Sequence, residues 1–171
     1  KILPIANCNV TIAETKITYW RQSMTDNEFK ALMTMQKHID DAKIELPLIG
    51  ETGKTITVFS DTTSDVFVID SDRKSRISLI KKKLQKRHMN TQERLIRLEI
   101  DARPHTNPDG QVLSRNHIHI FKEGYGLSFA YDLESFDNKL FKDLSSFEQV
   151  FYDFCEYCNI KTDGTEIQGV I

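Results

Sequence analysis

Between Lys54 and Leu133 the apolar residues tend to recur at every second position, and this period constrains the fold more than any other feature of the chain. Alternation rich in β-branched residues is typical of strands that bury one face. The segments KTITVFS and DVFVID flank the polar loop DTTS and therefore predict a hairpin. Further strands are predicted over SRISLI, RLIRLEID, NHIHIFKE and LSFAYDL.

Two helices are predicted on either side of these strands. Thr25 and Glu28 have the spacing of a capping box and precede apolar residues at helical spacing. A second helix is predicted to start near Ser145, with Glu148 as its capping partner, and to run to about Tyr157. We therefore expect an α+β fold, an antiparallel β-sheet meander flanked by an N-terminal and a C-terminal helix.

The length of 171 residues suits one domain with a substantial core. We expect residues 1–171 to form a single α+β domain, with residues 1–20 as an N-terminal arm or strand. No apolar run approaches the roughly 18 residues that cross a bilayer, and the start of the chain lacks the signal-peptide pattern. Three cysteines are too few, and odd in number, for a disulfide framework. These features favour the reducing cytoplasm.

The charge of the chain is unevenly distributed. The net charge is -2, yet eleven Lys or Arg residues and only three acids lie between Arg73 and Arg103. Such a field affects the choice of partner more than the fold. The densest part of the segment predicts contact with nucleic acid or with an acidic partner, whereas a solvated edge strand is the alternative. Its cations are Lys81, Lys82, Lys83, Lys86 and Arg87.

The segment from His105 to Tyr125 holds the residues most suited to metal binding or phosphate chemistry. His117 and His119 are two apart on a predicted strand, so their imidazoles share a face and can bind one metal ion. Two histidines on an exposed sheet face are the alternative. His105 lies in the loop PHTNPDG, whose Asn-Pro and Asp-Gly pairs indicate a tight turn. If the neighbouring strands pair, His105 completes a set of three histidines.

Cys155 and Cys158 have the spacing of many zinc sites and of redox dithiols. Because residues three apart share a helix face, both thiols are equally consistent with the core. Histidine and cysteine together favour zinc over calcium or magnesium. We predict a structural zinc that joins the last helix to the sheet, with Cys155 as the reserve ligand. The predicted ligands are His105, His117, His119 and Cys158.

The same segment allows a second interpretation, a metal-independent ribonuclease. One group takes the proton of the 2′-hydroxyl, another protonates the leaving oxygen, and cations hold the phosphate. His105 and His119 are the acid-base pair of this hypothesis. The residues that support them are Glu123, Tyr125, Arg97 and Arg103. Whether the protein is an enzyme is therefore open at this stage.

The motif His-x-Asn-Pro-Asp-Gly, followed by His-x-His-x-aromatic-x-Glu-Gly-Tyr-Gly, resembles an uncharacterised family of small proteins from Gram-positive bacteria and their phages. The resemblance covers roughly residues 50–171, and two positions depart from it, Asn116 for a proline and Phe129 for a tryptophan. It implies a phage protein in the cytoplasm of a bacterial host. Zinc-containing anti-CRISPR proteins that bind Cas9 are one such class. From this resemblance we predict inhibition of Cas9 or a related host-defence nuclease by protein binding.

Overall fold

A computed structural model describes residues 23–136 and 140–169, and over these residues it contains two helices and twelve strands. The predicted arm over residues 1–20 lies outside the described residues. Neither of the described helices is long and apolar enough to cross a membrane. The helices are α1 (Asp26–Thr34) and α2 (Phe147–Tyr157). The strands are β1 (Lys37–His38), β2 (Lys43–Glu45), β3 (Lys54–Ser60), β4 (Val66–Asp72), β5 (Lys82–His88), β6 (Arg94–Ile100), β7 (His105–Thr106), β8 (Val112–Leu113), β9 (His117–Ile120), β10 (Ala130–Asp132), β11 (Ile160–Lys161) and β12 (Glu166–Gln168).

Eight of the strands form one sheet in the order β10-β9-β6-β5-β4-β3-β1-β11. Its neighbours are antiparallel except for β1 and β11, which are parallel. Strands β2 and β12 form a small parallel pair, and β7 and β8 form a short hairpin. The α+β fold is therefore confirmed, and the hairpin over β3 and β4 is where the alternation predicts it.

The first helix begins as the capping box predicts. The Thr25 hydroxyl accepts a hydrogen bond from the Glu28 backbone at 3.2 Å, and the Glu28 carboxylate accepts one from the Thr25 backbone at 2.7 Å. The second helix begins one residue later than predicted. Ser145 donates its hydroxyl to Asp143 at 2.5 Å, and Ser146 is the residue that caps α2. The predicted start near Ser145 is therefore right to within one residue, but the predicted capping box of Ser145 and Glu148 is wrong.

The predicted strand SRISLI does not form, and residues 75–80 are an irregular loop. Local side-chain bonds compete with strand pairing there, as expected for Asp and Ser. The Asp72 carboxylate accepts from the Lys74 backbone at 3.0 Å, and the Ser75 hydroxyl accepts from the Ser78 backbone at 3.0 Å. Ile77 is exposed as a result.

The strand register separates an apolar from a polar face of the sheet. Leu84, Leu98 and Ile118 lie side by side on β5, β6 and β9, and all three are fully buried. Helix α2 covers this face, and its Val150, Phe151 and Phe154 are also fully buried there. Since successive residues of a strand point to opposite faces, the residues between these leucines and isoleucines lie on the other face.

Candidate metal centre

Four polar side chains meet on that second face, where β6 pairs with β9. Arg97 lies opposite His119, and Glu99 lies opposite His117. Side chains directly opposite each other in an antiparallel pair are close enough to interact. Both histidines are buried, at 1 % and 0 % exposure.

Backbone carbonyl groups fix the orientation of both imidazoles. His117 Nδ1 lies 2.9 Å from the Ser114 carbonyl oxygen, and His119 Nδ1 lies 2.9 Å from the Leu127 carbonyl oxygen. Because a carbonyl oxygen only accepts, each Nδ1 carries a hydrogen and donates it. In the neutral rings each Nε2 then presents a lone pair. Metal-binding histidines are oriented in the same way by hydrogen bonds from their second nitrogen.

The two Nε2 atoms and the Glu99 carboxylate converge on one point. Glu99 Oε2 is 3.3 Å from His117 Nε2 and 3.8 Å from His119 Nε2, and the three ligand atoms all lie within 4.8 Å of one another. A tetrahedral zinc with bonds of about 2.0–2.1 Å separates its ligand atoms by about 3.3 Å. The arrangement therefore has the dimensions of a three-ligand metal site.

His117 Nε2 is the atom that most clearly needs a further partner. It is buried and has no hydrogen-bond partner among residues 23–136 and 140–169, because its contact with Glu99 is not aligned for a hydrogen bond. A neutral imidazole lone pair and a carboxylate oxygen repel each other at 3.3 Å. A cation between them, either a proton or a metal ion, removes this repulsion.

The contacts at this site also affect the ionisation of the Glu99 carboxyl and the His119 imidazole. Contacts with the imidazoles of His117 and then His119, together with the charge of Arg97, hold the pKa of the Glu99 carboxyl well below its usual range, although burial acts in the opposite sense. Burial lowers the pKa of His119. The site therefore combines an ionised carboxylate with a neutral imidazole, the protonation states that a metal ion requires of its ligands.

Arg97 occupies part of the position that a metal ion needs. Its Nη2 donates to His119 Nε2 at 3.1 Å, and its Nε lies 3.1 Å from Glu99 Oε1. That Nε is buried and has no aligned hydrogen-bond acceptor in the part of the chain that the structure describes. The guanidinium is therefore held by a single well-formed bond, and it must turn away from His119 when a metal ion binds.

A cavity of about 380 Å³ opens beside these groups. His105, His117 and His119 form one wall with Arg97 and Glu99, and the other walls come from the loop after β4, the start of β5 and the loop after β6. The site therefore faces an open cavity, in contrast to a structural zinc site closed by four protein ligands.

His105 is the third histidine that the sequence predicts here. Its ring centroid lies 4.6 Å from that of His119 and 5.7 Å from that of His117. Its Nε2 donates to the Ser128 carbonyl oxygen at 3.0 Å. The structure thus brings the three histidines together, but His105 lies outside the set of three converging ligand atoms.

The two cysteines do not join the histidines. Cys155 and Cys158 are buried under α2, in the core that contains Ile118. Their charged neighbours are Lys86 and, for Cys158, also Lys37. Burial raises the pKa of both thiols, which disfavours the thiolate that binds metal. The predicted ligand Cys158, and Cys155 as its reserve, therefore lie on the opposite face of the sheet from the imidazoles.

The predicted ribonuclease residues are also divided. Glu123 pairs with the start of α1, since its carboxylate accepts from the Asp26 backbone at 3.1 Å and its backbone donates to the Asp26 carboxylate at 2.7 Å. Tyr125 packs edge-to-face against Phe129 at a centroid distance of 5.0 Å. Neither lines the cavity, whereas Arg103 does, together with the histidines and Arg97.

The alternation of β5 divides the predicted basic segment over residues 81–87 between the two faces of the sheet. Its cations are Lys81, Lys82, Lys83, Lys86 and Arg87. Lys82 donates to two backbone carbonyls at the start of α2, and Lys86 is buried in the core. Arg87 forms two hydrogen bonds with Asp70, at 2.6 and 3.0 Å. Only Lys81, Lys82 and Lys83 line the cavity, and the amine of Lys82 is already committed.

Two residues of the site were missed by sequence reasoning. In the sequence, Glu99 is only one of three acids in a basic segment. The pairing register of β6 and β9 places it opposite His117. Asn107 was assigned to the turn alone, yet its buried side chain donates to the Ala130 carbonyl at 2.9 Å and accepts from the Ala130 backbone at 2.8 Å. The alternation of β6 identifies Glu99 as a residue of the polar face, but no sequence signal marks the Asn107 contact.

Comparison with known proteins gives a family and no activity. A model of a family of unknown function, DUF6978, matches residues 24–160. No match is found among the curated proteins or among the solved structures. The matched residues include both helices and all the side chains of the candidate metal centre. The chain belongs to the DUF6978 family.

Proposed function

We propose that this protein is a zinc-dependent hydrolase whose metal is bound by Glu99, His117 and His119. The observation that supports the proposal is the convergence of three ligand atoms around the buried, unpartnered Nε2 of His117. Two histidines and a glutamate are the ligands of one class of catalytic zinc site. The predicted zinc is kept in this proposal with His117 and His119 as ligands, whereas Glu99 takes the place of Cys158 and His105 is not a ligand.

A catalytic role is favoured over a structural one because, among the described residues, three candidate ligands and not four lie together beside an open cavity. A zinc ion held by these residues would supply an activated water, with its pKa lowered to about 7, and would polarise the bond to be cleaved. The protein's own groups do the rest. Glu99 supplies negative charge to the ligand set, and the backbone carbonyls hold both imidazoles in place. Arg97, once released from His119, neutralises charge on the substrate.

His105 is the residue best positioned to carry a proton in this reaction. Its Nε2 is committed to the Ser128 carbonyl, and its Nδ1 has no hydrogen bond to another described residue. The Nδ1 lone pair is thus available next to the ligand set. This assigns to His105 the acid-base role of the ribonuclease hypothesis, without Glu123 or Tyr125.

Three statements stay predictions: the phage origin of the chain, its role as an anti-CRISPR inhibitor of Cas9 or a related nuclease, and its location in the host cytoplasm. The first two rest on the resemblance alone, and the location rests on the cysteine count and the start of the chain as well. Binding inhibitors and hydrolases differ in stoichiometry. An inhibitor that acts by binding is needed in proportion to its target, whereas a hydrolase turns over many substrate molecules. We favour the hydrolase because the ligand set faces a cavity lined with cations.

The test is the zinc content of protein purified without a metal-binding tag, measured by elemental analysis. We expect about one zinc per chain in the wild type and a loss of most of it in Glu99→Gln and His119→Gln. Cys158→Ala is the control for a thiolate ligand, and it should keep its zinc. Circular dichroism of each variant establishes that it is folded.

Two results contradict the proposal. Folded wild-type protein that takes up no zinc, even when dialysed against it, removes the metal centre. If zinc is lost in Cys158→Ala and kept in Glu99→Gln, the metal is bound by Cys158 and not by Glu99.

A further inference from the structure

The cavity beside the metal centre carries a marked excess of positive charge. Six cations line it against two carboxylates, although the whole chain has a net charge of -2. The cations are Lys74, Lys81, Lys82, Lys83, Arg97 and Arg103, and the carboxylates are Asp72 and Glu99. A concave surface lined by one sign of charge concentrates ligands of the opposite sign.

Several of these cations are already committed within the protein. The Lys82 amine donates to the carbonyls of Leu144 and Ser145, at 2.6 and 3.0 Å. Lys74 and Lys83 share one carboxylate oxygen of Asp72, at 3.3 and 3.7 Å. Their charge is therefore partly neutralised before any ligand binds.

Lys81 and Arg103 are different. Both are exposed, and neither forms a salt bridge with a residue in the described ranges 23–136 and 140–169. Both line the same cavity, Lys81 directly before β5 and Arg103 in the loop after β6, and the ends of these two strands are paired through Lys82 and Ile100. Two unpaired cations at the rim of a cavity that contains a candidate metal centre are suited to an anionic ligand.

We propose that this cavity binds a phosphate ester, with Lys81 and Arg103 holding the phosphoryl group beside the metal centre. The inference rests on the proposed function, since it names the substrate class of the same site. An Arg guanidinium matches the geometry of phosphate oxygens with two parallel hydrogen bonds, and Lys adds a mobile point charge. The cavity volume of about 380 Å³ is at the lower end of the range for small-molecule sites. It therefore admits one ester unit, either of a nucleic-acid strand or of a free nucleotide.

The reaction is the hydrolysis of one phosphorus–oxygen ester bond. The oxygen of a water molecule forms a bond to phosphorus, and the bond between phosphorus and the leaving oxygen breaks with its electron pair on that oxygen. One proton of the water passes to His105 and then to the leaving oxygen, which departs as an alcohol. The other water hydrogen stays with the phosphate product, so no oxidant or second substrate is needed.

Binding is tested on the zinc-loaded protein with a short fluorescein-labelled oligouridine, by fluorescence polarisation at several salt concentrations. We expect Lys81→Glu and Arg103→Glu each to weaken binding by about tenfold and to reduce the salt dependence by about one phosphate contact. Lys30→Glu makes the same charge change on the exposed surface of α1 and should leave affinity within about twofold of wild type.

Competition and turnover identify the source of the phosphate ester. Displacement by uridine monophosphate at comparable concentration supports a free nucleotide, and failure to displace supports a strand. Hydrolysis of bis(p-nitrophenyl) phosphate and of p-nitrophenyl phosphate separates diester from monoester cleavage. Each of these results supports a phosphate-ester site.

The inference and the proposed function fail in different ways. If the three charge variants bind oligouridine equally, or if the wild type binds none, the phosphate site is overturned. If the same samples still contain about one zinc per chain, the proposed metal centre is not contradicted. Absence of zinc, with binding that still depends on Lys81 and Arg103, overturns the hydrolase instead.

Discussion

Asn107 is the residue through which the loop before β8 holds the edge of the sheet. Its side chain forms two hydrogen bonds with Ala130, at 2.9 and 2.8 Å, and both residues are buried. Ala130 pairs with His119 across β9 and β10, and His105 is two residues before Asn107. The contact therefore supports the wall of the cavity as well as the fold.

We expect Asn107→Ala to destabilise the protein by about 2–5 kcal/mol. The substitution leaves a buried donor and a buried acceptor of Ala130 without partners, and each such group costs about 1–3 kcal/mol. For a domain of this size the melting temperature should fall by roughly 10 °C. Urea unfolding followed by circular dichroism measures the free energy of unfolding, and a zinc titration should show weaker binding.

Asp109→Ala in the same turn is the matched control. The Asp109 carboxylate is exposed and accepts one bond, from the Gln111 backbone at 3.1 Å. We expect a loss of less than about 1 kcal/mol for this variant. Equal losses in the two variants, or a loss below about 1 kcal/mol in Asn107→Ala, refute the argument that the Ala130 contact carries the effect.

Three other substitutions test separate parts of the account. Burial lowers the pKa of the Lys86 amine, and burial together with the charge of Lys86 lowers the pKa of Lys37 to about 7. The folded chain thus binds up to two protons fewer than the unfolded chain above pH 7, so the unfolding free energy should rise by up to about 2.7 kcal/mol per pH unit until the thiols of the unfolded chain titrate at about pH 8.5. Lys86→Met should stabilise the protein at pH 7 by about 1–3 kcal/mol and make this slope shallower. Gly53→Ala should cost about 1–3 kcal/mol, because a Cβ there lies 2.5 Å from the Ser71 carbonyl oxygen. Arg97→Gln should strengthen zinc binding by about tenfold, because it removes a cation next to the metal position.

Each of these three has a result that contradicts it. A destabilised Lys86→Met with an unchanged pH slope means that the amine is charged and well solvated in the folded protein. Calorimetry that gives Gly53→Ala the melting temperature of the wild type means that β3 and β4 can separate locally. Weaker zinc binding by Arg97→Gln in a calorimetric titration means that the guanidinium supports the site.

The elements of the fold could largely be predicted from residue patterns, since each depends on local spacing. The alternation around β3, β4, β6 and β9 and the capping box at Thr25 act within a few residues of chain. The loop over 75–80 was mispredicted because turn bonds from Asp72 and Ser75 outweigh an alternation of only a few residues. A local sequence pattern therefore predicts a helix or a strand correctly where no competing side-chain hydrogen bond acts on the same residues.

The ligand set could not be predicted, because it depends on the pairing register and on which face each helix covers. A slip of one residue between β6 and β9 would place Leu98, instead of Glu99, opposite His117. The spacing of Cys155 and Cys158 correctly suggests a shared helix face, but nothing local states that this face points away from the imidazoles. The turn at Asn107 was recognisable, whereas its bonds to Ala130 join segments 23 residues apart.

The most direct test of the metal centre is a crystal structure of the zinc-loaded protein with anomalous differences collected at the zinc edge. We predict one peak about 2.0–2.1 Å from Nε2 of His117, Nε2 of His119 and a carboxylate oxygen of Glu99, with Arg97 turned away. A peak beside the sulfur atoms of α2, or no peak in protein soaked with zinc, contradicts the account.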